Sequence, residues 1–287
     1  MQAKRKIAII GPGRLGGALA QELHHAGYQV TEVVSRPRPA SLQKARRLAA
    51  SVGSGAVSLR AAILDADLVW FCVPDRDLEA SARTLSRSAH WKGKIAFHSS
   101  GAMSSDVLNS LRDRGAAVAS VHPLMTFVTA SAPSLSGVPC AIEGDAAAVS
   151  AARRIVGDLN GYSFKLRKEK KAVYHAWATL VCPLLVAALV TTEEVAAAAG
   201  LPAKDARRNM LPIVRQTFSN YATLGGAGAF SGPLVRGEVE VIRRHLQALG
   251  KIPGARAVYV ALARSALQHL PVENRRRIAR LLGQESC

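Results

Sequence analysis

Aromatic residues make up only 5% of this 287-residue chain and are not interleaved with basic side chains, so it lacks the stacking platforms of a single-strand nucleic-acid binder. Cysteine is equally scarce. Cys72, Cys140, Cys182 and Cys287 are widely spaced and form no C-x-x-C pair. Nothing therefore suggests a metal site or a redox dithiol, and a reducing cytoplasm is expected. The first apolar run ends at Gly11, too early for the core of a signal peptide, and no small-residue cleavage pattern follows it. There is no internal repeat and no low-complexity tract. With 49% apolar and only 20% charged residues, the composition excludes disorder, and the length suits two domains.

Acidic residues are few, 20 against 38 Lys and Arg, for a net charge of +18. Residues 1–150 carry 17 basic and 11 acidic side chains, whereas 151–287 carry 21 and 9. Such a field attracts phosphates of any kind. No zinc finger or other reader motif accompanies it, so no specific nucleic acid is expected, although nucleic-acid binding stays as a rival reading.

What the chain does have is a G-x-G-x-x-G turn. Residues 7–16 read Ile-Ala-Ile-Ile-Gly-Pro-Gly-Arg-Leu-Gly, a short apolar strand running into a helical segment at 18–25. In that spacing Gly11 permits the tight turn, Gly13 lets backbone approach a pyrophosphate, and Gly16 allows close helix–sheet packing. Pro12, Arg14 and Leu15 complete the turn, and the helix start offers free N–H groups to the anion. A second strand follows at 29–34. At its tip, where an NAD site carries an acidic residue, the chain reads Ser35-Arg36-Pro37-Arg38. A carboxylate would repel a 2′-phosphate, whereas hydroxyl and guanidinium bind it, so NADP is the expected cofactor through Ser35 and Arg36, with Arg38 as a weaker contact. A solvated basic turn is the bland alternative.

Further strands are expected at 68–73, 94–98, 117–121, 139–142 and 162–165, mostly separated by helices. This predicts an α/β fold, a Rossmann-type doubly wound parallel sheet, followed by an all-α C-terminal domain. The turn Val73-Pro74-Asp75 ends an apolar strand and is expected to line the cofactor, though it also reads as an ordinary surface turn. The domain boundary is placed at the charged run 167–171, giving a nucleotide-binding domain over 1–167 and a helical substrate and dimerisation domain over 168–287. Residues 172–192 are apolar enough to raise a membrane question. His175 and Pro183 inside the stretch, and Glu193-Glu194 after it, favour a buried helix between domains or subunits, so no membrane is expected. Later helices are expected at 203–221, 237–249, 255–270 and 272–282. The Gly-rich stretch 224–237 reads as a loop able to close over a ligand, or as an inert linker.

Three segments are placed to meet a nicotinamide at the sheet's carboxyl edge. The first is His98-Ser99-Ser100-Gly101-Ala102, whose hydroxyls suit a carbonyl or carboxylate oxygen. The second is His122-Pro123-Leu124-Met125-Thr126-Phe127. The third is a helix with Lys171 and His175 at i and i+4 and Tyr174 beside them, groups that supply a proton and stabilise developing charge. Each has a plain alternative: a helix cap for Ser99 and Ser100, a satisfied core histidine for His122, a solvated charge for Lys171.

The Gly11-to-Gly16 turn, the Val-Pro-Asp turn, the two histidine-led segments, the Tyr174-His175-Ala176 helix and Gly232-Pro-Leu-Val-Arg236-Gly237 together resemble bacterial Rossmann-like oxidoreductases. Those proteins pair an NADP-reductase-like N-terminal domain with a helical domain of unknown function. More distantly the layout is similar to β-hydroxyacid dehydrogenases and pyrroline-5-carboxylate reductases, which dimerise through the helical domain. In the dehydrogenases a helix carries a catalytic lysine with asparagine four residues later. Lys171 matches that lysine, His175 stands where the asparagine would be, and Cys182-Pro183 replaces a further asparagine. The resemblance implies a homodimeric NADP-dependent reductase of a small carbonyl or imine substrate, with Lys171 and His175 acting on the reacting group. Ser99, Ser100 and His122 would orient the substrate, and Arg236 would approach from the Gly-rich loop. A non-catalytic NADPH-binding sensor is the alternative.

Overall fold

The structure, a computed structural model, describes residues 4–128 and 134–283, so Cys287 lies outside the described residues. Its first strand, β1 (Lys6–Ile10), is buried almost throughout, as an apolar run covered on both faces must be. Helix α1 (Arg14–His25) turns Ala18, Leu19 and Leu23 onto the sheet. There follow β2 (Gln29–Ser35), α2 (Pro39–Ser51), β3 (Gly55–Ser58), β4 (Leu68–Phe71), α3 (Asp75–Ser88), β5 (Ile95–His98), α4 (Asn109–Arg112), β6 (Ala117–Pro123), β7 (Pro139–Gly144), α5 (Ala146–Asp158) and β8 (Tyr162–Lys165). Pro39 begins α2 without penalty because the first-turn N–H has no intrahelical partner.

The eight strands form one sheet in the order β3-β2-β1-β4-β5-β6-β7-β8. Every neighbouring pair is parallel except β6 and β7. The antiparallel pair departs from the all-parallel expectation, and no helix is described between these two strands to carry a parallel crossover. Seven of the strands stand where the sequence places them. The eighth, β3, escapes sequence reading because its four residues are only partly buried and show no clear alternation. The winding changes direction between β1 and β4, so the carboxyl ends of these two strands open a crevice.

The chain divides into two compact units, residues 1–179 and 180–287. Helix α6 (Lys171–Val181) falls with the first unit except for its end, past the break placed at 167, because it buries Lys171 and Tyr174 there. The second unit holds α7 (Pro183–Ala198), α8 (Ala203–Ala229), α9 (Val239–Ala248), α10 (Pro253–His269) and α11 (Arg275–Leu281). Ile242, Leu246, Leu267 and Ile278 lie at its core.

Two expectations change here. The Gly-rich stretch is not a loop from 224 onward: α8 continues to Ala229 with a kink at Gly225, whose φ of 68° is left-handed. Only its last part, around Gly232, is free of helix. The apolar stretch is two helices and not one. Pro183 starts a new helix after Cys182, and Trp177, Leu180, Leu184, Val186 and Val190 are exposed. By length and composition alone the run Lys168–Ala198 is long and apolar enough to cross a membrane.

Candidate functional site

The crevice at the β1/β4 switch is built by glycine geometry. Gly11 leaves β1 with φ of 107°, and a Cβ there would lie 2.6 Å from the Cys72 carbonyl oxygen. At Gly16 a Cβ would meet the Gly11 carbonyl oxygen at 2.0 Å, so the helix cannot approach this closely with any larger residue. Gly13 differs, because its Cβ would find nothing nearer than 3.9 Å. Its missing side chain leaves open space beside the turn, where a ligand backbone would pass. Gly13 is also the N-cap of α1, and no side chain caps this helix and no acidic residue sits in its first turn. The N–H groups at that end are thus left for an anion.

Gly11, Pro12, Gly13, Val73 and Pro74 line the cleft, as do Ser35 and Arg36 from the end of β2. Ser35 is buried, its Oγ donating to the Arg36 carbonyl oxygen at 3.2 Å. The exposed Arg36 guanidinium is 3.5 Å from Asp77. Arg38, at the N-cap of α2, and Arg14 are exposed and outside the cleft lining, and Leu15 packs on the core. Polar lining residues that went unmarked in the sequence are Ser41, Lys44, Asp77 and Ser81. Ser41 and Lys44 are three apart on α2 and face one way, a signal that becomes readable only once Pro39 is taken as a helix start. A glycine turn, a free helix end and a basic far end fit a dinucleotide with an additional phosphate.

Next along the same sheet edge, the ends of β5 and β6 meet α6. Lys171 is 2% exposed, and its Nζ donates to the Ser100 carbonyl oxygen at 2.8 Å and to Ser120 Oγ. Burial pushes its pKa down to about 8, against the pull of Glu143 and Asp75. Ser100 Oγ donates to Asp75 at 2.9 Å and accepts from the backbone N–H of Met103, also at 2.9 Å. Ser99 Oγ accepts from the Trp70 indole at 2.8 Å. The polar atoms of Lys171, Ser99 and Ser100 thus hold the 98–103 loop in shape, and the Ser100–Asp75 bond ties that loop to the Val73-Pro74-Asp75 turn, of which Val73 and Pro74 line the cleft and Asp75, expected there, does not. Beneath them the carboxylate of buried Glu143 accepts from Ser105 N and Oγ at 2.6 and 2.8 Å.

His98 is wholly buried, and its Nδ1 accepts from the Ser100 N–H. Burial, reinforced by Lys171, pushes its pKa down to about 3. His122 contacts the Tyr174 hydroxyl through Nδ1 at 2.7 Å. Burial, then Lys171 and His175, push its pKa down to about 4. Burial raises the Tyr174 phenol to about 12. The His122 and His175 rings stand edge-on at 6.1 Å, converging on Gly101. A Cβ on Gly101 would lie 2.5 Å from His175 Cδ2 and 2.8 Å from His122 Nε2. The fold therefore sorts the predicted residues: Lys171, Ser99 and Ser100 point into the structure, while His122 and His175 form a half-buried edge backed by the buried Tyr174, whose bond to His122 the sequence does not show. Ser120 was also missed, since nothing local marks a serine inside a strand.

Residues 1–123 match the Rossmann-like domain family, and residues 138–266 match the domain of unknown function DUF2520. No curated protein matches the chain. Among solved structures, the chain is similar to the candidate NADP oxidoreductase BF3122 from Bacteroides fragilis, at 22% identity and a TM-score of 0.75, covering 92% of this chain and 98% of that one. Protein TM1727 from Thermotoga maritima aligns at 22% identity and a TM-score of 0.72, over 90% of this chain and 95% of the other. A reductive aminase from Aspergillus terreus, solved with NADPH and ethyl-5-oxohexanoate, aligns at 18% identity and a TM-score of 0.66, over 96% and 99%.

Proposed function

We propose that this chain, a Rossmann-like domain joined to DUF2520, is an NADP-dependent oxidoreductase that transfers a hydride between NADP(H) and a small carbonyl or imine substrate. One observation carries the reading: a dinucleotide-shaped cleft with a basic far end adjoins, along one sheet edge, a half-buried pair of histidines backed by a tyrosine. The likeness to solved structures of an NADP oxidoreductase and of a reductive aminase with NADPH bound supports it.

The cofactor, when bound, supplies or accepts the hydride at its nicotinamide ring. The chain does the rest. The turn from Gly11 to Gly16 and the start of α1 hold the pyrophosphate, and Ser35, Arg36, Ser41 and Lys44 surround the adenosine end. His122, neutral at physiological pH, presents its ring edge beside Gly101 and takes its orientation from Tyr174. A neutral imidazole N–H polarises a carbonyl oxygen or imine nitrogen without carrying a competing full charge. His175, half-exposed on α6, moves the proton between that atom and water. Lys171 acts from below as a positioning residue. Its ammonium fixes the Ser100 carbonyl and Ser120, and its charge adds to the burial that keeps His98 and His122 neutral.

The nucleotide-binding part lies within 1–167, with 168–287 supplying substrate contacts. The exposed apolar side chains of the helical unit support a homodimer, and the sparse cysteines a cytoplasmic setting. NADPH oxidation against a panel of small aldehydes, ketones and preformed imines tests the activity. Turnover lost in both His122→Ala and His175→Ala supports the assignment, and turnover unchanged in both overturns it. The internal bonding of Lys171, Ser99 and Ser100 favours a second reading, a non-catalytic NADPH sensor, which would hold the cofactor and consume none with any of the panel.

A further inference from the structure

We infer that Asp77 sets how strongly the cleft prefers a 2′-phosphorylated adenosine, by occupying Arg36 until the phosphate displaces it. The inference rests on the NADP reading above and concerns a residue of opposite charge to those that bind the phosphate.

Asp77 lies in the first turn of α3, and its side chain lines the cleft opposite Ser35 and Arg36. Its Oδ2 is buried and receives no hydrogen bond. Among the described residues, the cation in ion-pair range is Arg36, at 3.5 Å. Capping does not explain this carboxylate, because no side chain caps α3. Nor does a tight structural pair, since the Arg36 side chain is 48% exposed and the contact is longer than a charge-assisted hydrogen bond. What remains is an anion facing the guanidinium that would read the cofactor's extra phosphate.

Such an arrangement acts in two ways. Arg36 must exchange one anion for another, so part of its attraction for phosphate is already offset. The Asp77 carboxylate, left behind in the cleft, then repels the phosphate. Both effects fall chiefly on the 2′-phosphate, the anion that Arg36 would read, so they weaken NADPH and NADP⁺ alike and affect NADH and NAD⁺ much less. A cofactor that must leave after each turnover is released faster for it. Ser41 and Lys44, from α2, line the same cleft, and among the described residues Lys44 has no ion pair.

The test uses the full chain and two probes, NADPH and NADH, titrated by intrinsic fluorescence or calorimetry at low salt. Asp77→Asn keeps the shape and removes the charge. Its Kd for NADPH should fall about three- to fivefold, the range expected of a solvent-facing pair, while its Kd for NADH stays put. The gain should shrink at high salt and in an Arg36→Ala background, where there is no guanidinium to release. Asp77→Ser, with its melting curve recorded beside the wild type, guards against a folding artefact and should move NADPH binding the same way. An unchanged or weakened NADPH affinity in both folded variants overturns the inference and leaves the NADP reading standing. A wild-type chain that binds neither nucleotide overturns both.

Discussion

The His122 ring nitrogen and the Tyr174 hydroxyl lie 2.7 Å apart although 52 residues separate them in the chain. That bond joins the carboxyl end of β6 to the first turns of α6 and sets the angle at which the imidazole faces Gly101. With Tyr174 in place, the ring has one nitrogen held and the other free for a substrate. Tyr174→Phe keeps the packing against Trp177 and Phe164 and loses only the hydroxyl. We expect kcat to fall about tenfold or more with KM changed much less, because the variant disturbs orientation and not binding. Steady-state kinetics on the best substrate of the panel checks this.

The three glycines of the opening turn should respond differently to the same substitution. Gly16→Ala would force a Cβ to 2.0 Å from the Gly11 carbonyl oxygen, and we expect a loss of about 1–3 kcal/mol or failure to fold. Gly13→Ala meets no atom closer than 3.9 Å, so its denaturation midpoint should match the wild type while dinucleotide affinity drops. Urea unfolding and nucleotide titration on both variants separate the structural glycine from the binding one.

Lys171 gives the protein a stability term at alkaline pH. Its folded-state pKa, about 8, is below the ordinary 10.5, so between these values the unfolded chain binds more protons than the folded one. Stability from this group therefore rises as pH goes from about 8 to 10.5, and the burden of a buried charge is fully present below 8. The difference in unfolding free energy between wild type and Lys171→Met should shift in favour of the wild type over that range. A difference flat with pH would mean that the lysine is not buried as an ammonium.

At acid pH the buried His98 and the half-buried His122 act in the same sense, over a lower pH window. The folded-state values of His98 and His122, about 3 and about 4, lie below the ordinary 6.5, so the unfolded chain gains protons first on acidification. Their contribution is complete above about 6.5 and is lost progressively as pH falls towards those values. His98→Gln should flatten the loss of stability between pH 6.5 and 4, as measured by urea midpoints at successive pH.

Much of the fold was legible in the sequence because its elements carry local signals: apolar strands such as 68–71, a glycine turn, and helix periodicity after 203. The short edge strand β3 and the helical run through Gly225 were not, since the first lacks alternation and in the second the chain kinks at Gly225 and then resumes helix to Ala229, where the glycines read as a loop. The site was half legible. Gly11, Gly13, Ser35 and Arg36 announce themselves by position after a strand, whereas Asp77, Lys44, Ser120 and the Tyr174–His122 bond come from residues brought together only by the sheet order. Sequence spacing put Lys171 and His175 on one helix face correctly, but it could not tell that one would be buried and the other half-open.

On the function proposed above, the cleft holds a 2′-phosphorylated dinucleotide with Arg36 at its phosphate. Titrating NADPH and NADH into wild type and Arg36→Asp tests it most directly. Wild type should bind NADPH more tightly than NADH, and the substitution should weaken NADPH about tenfold or more while leaving NADH nearly unchanged. Equal weakening of both nucleotides, or no binding of either to the wild type, would contradict it.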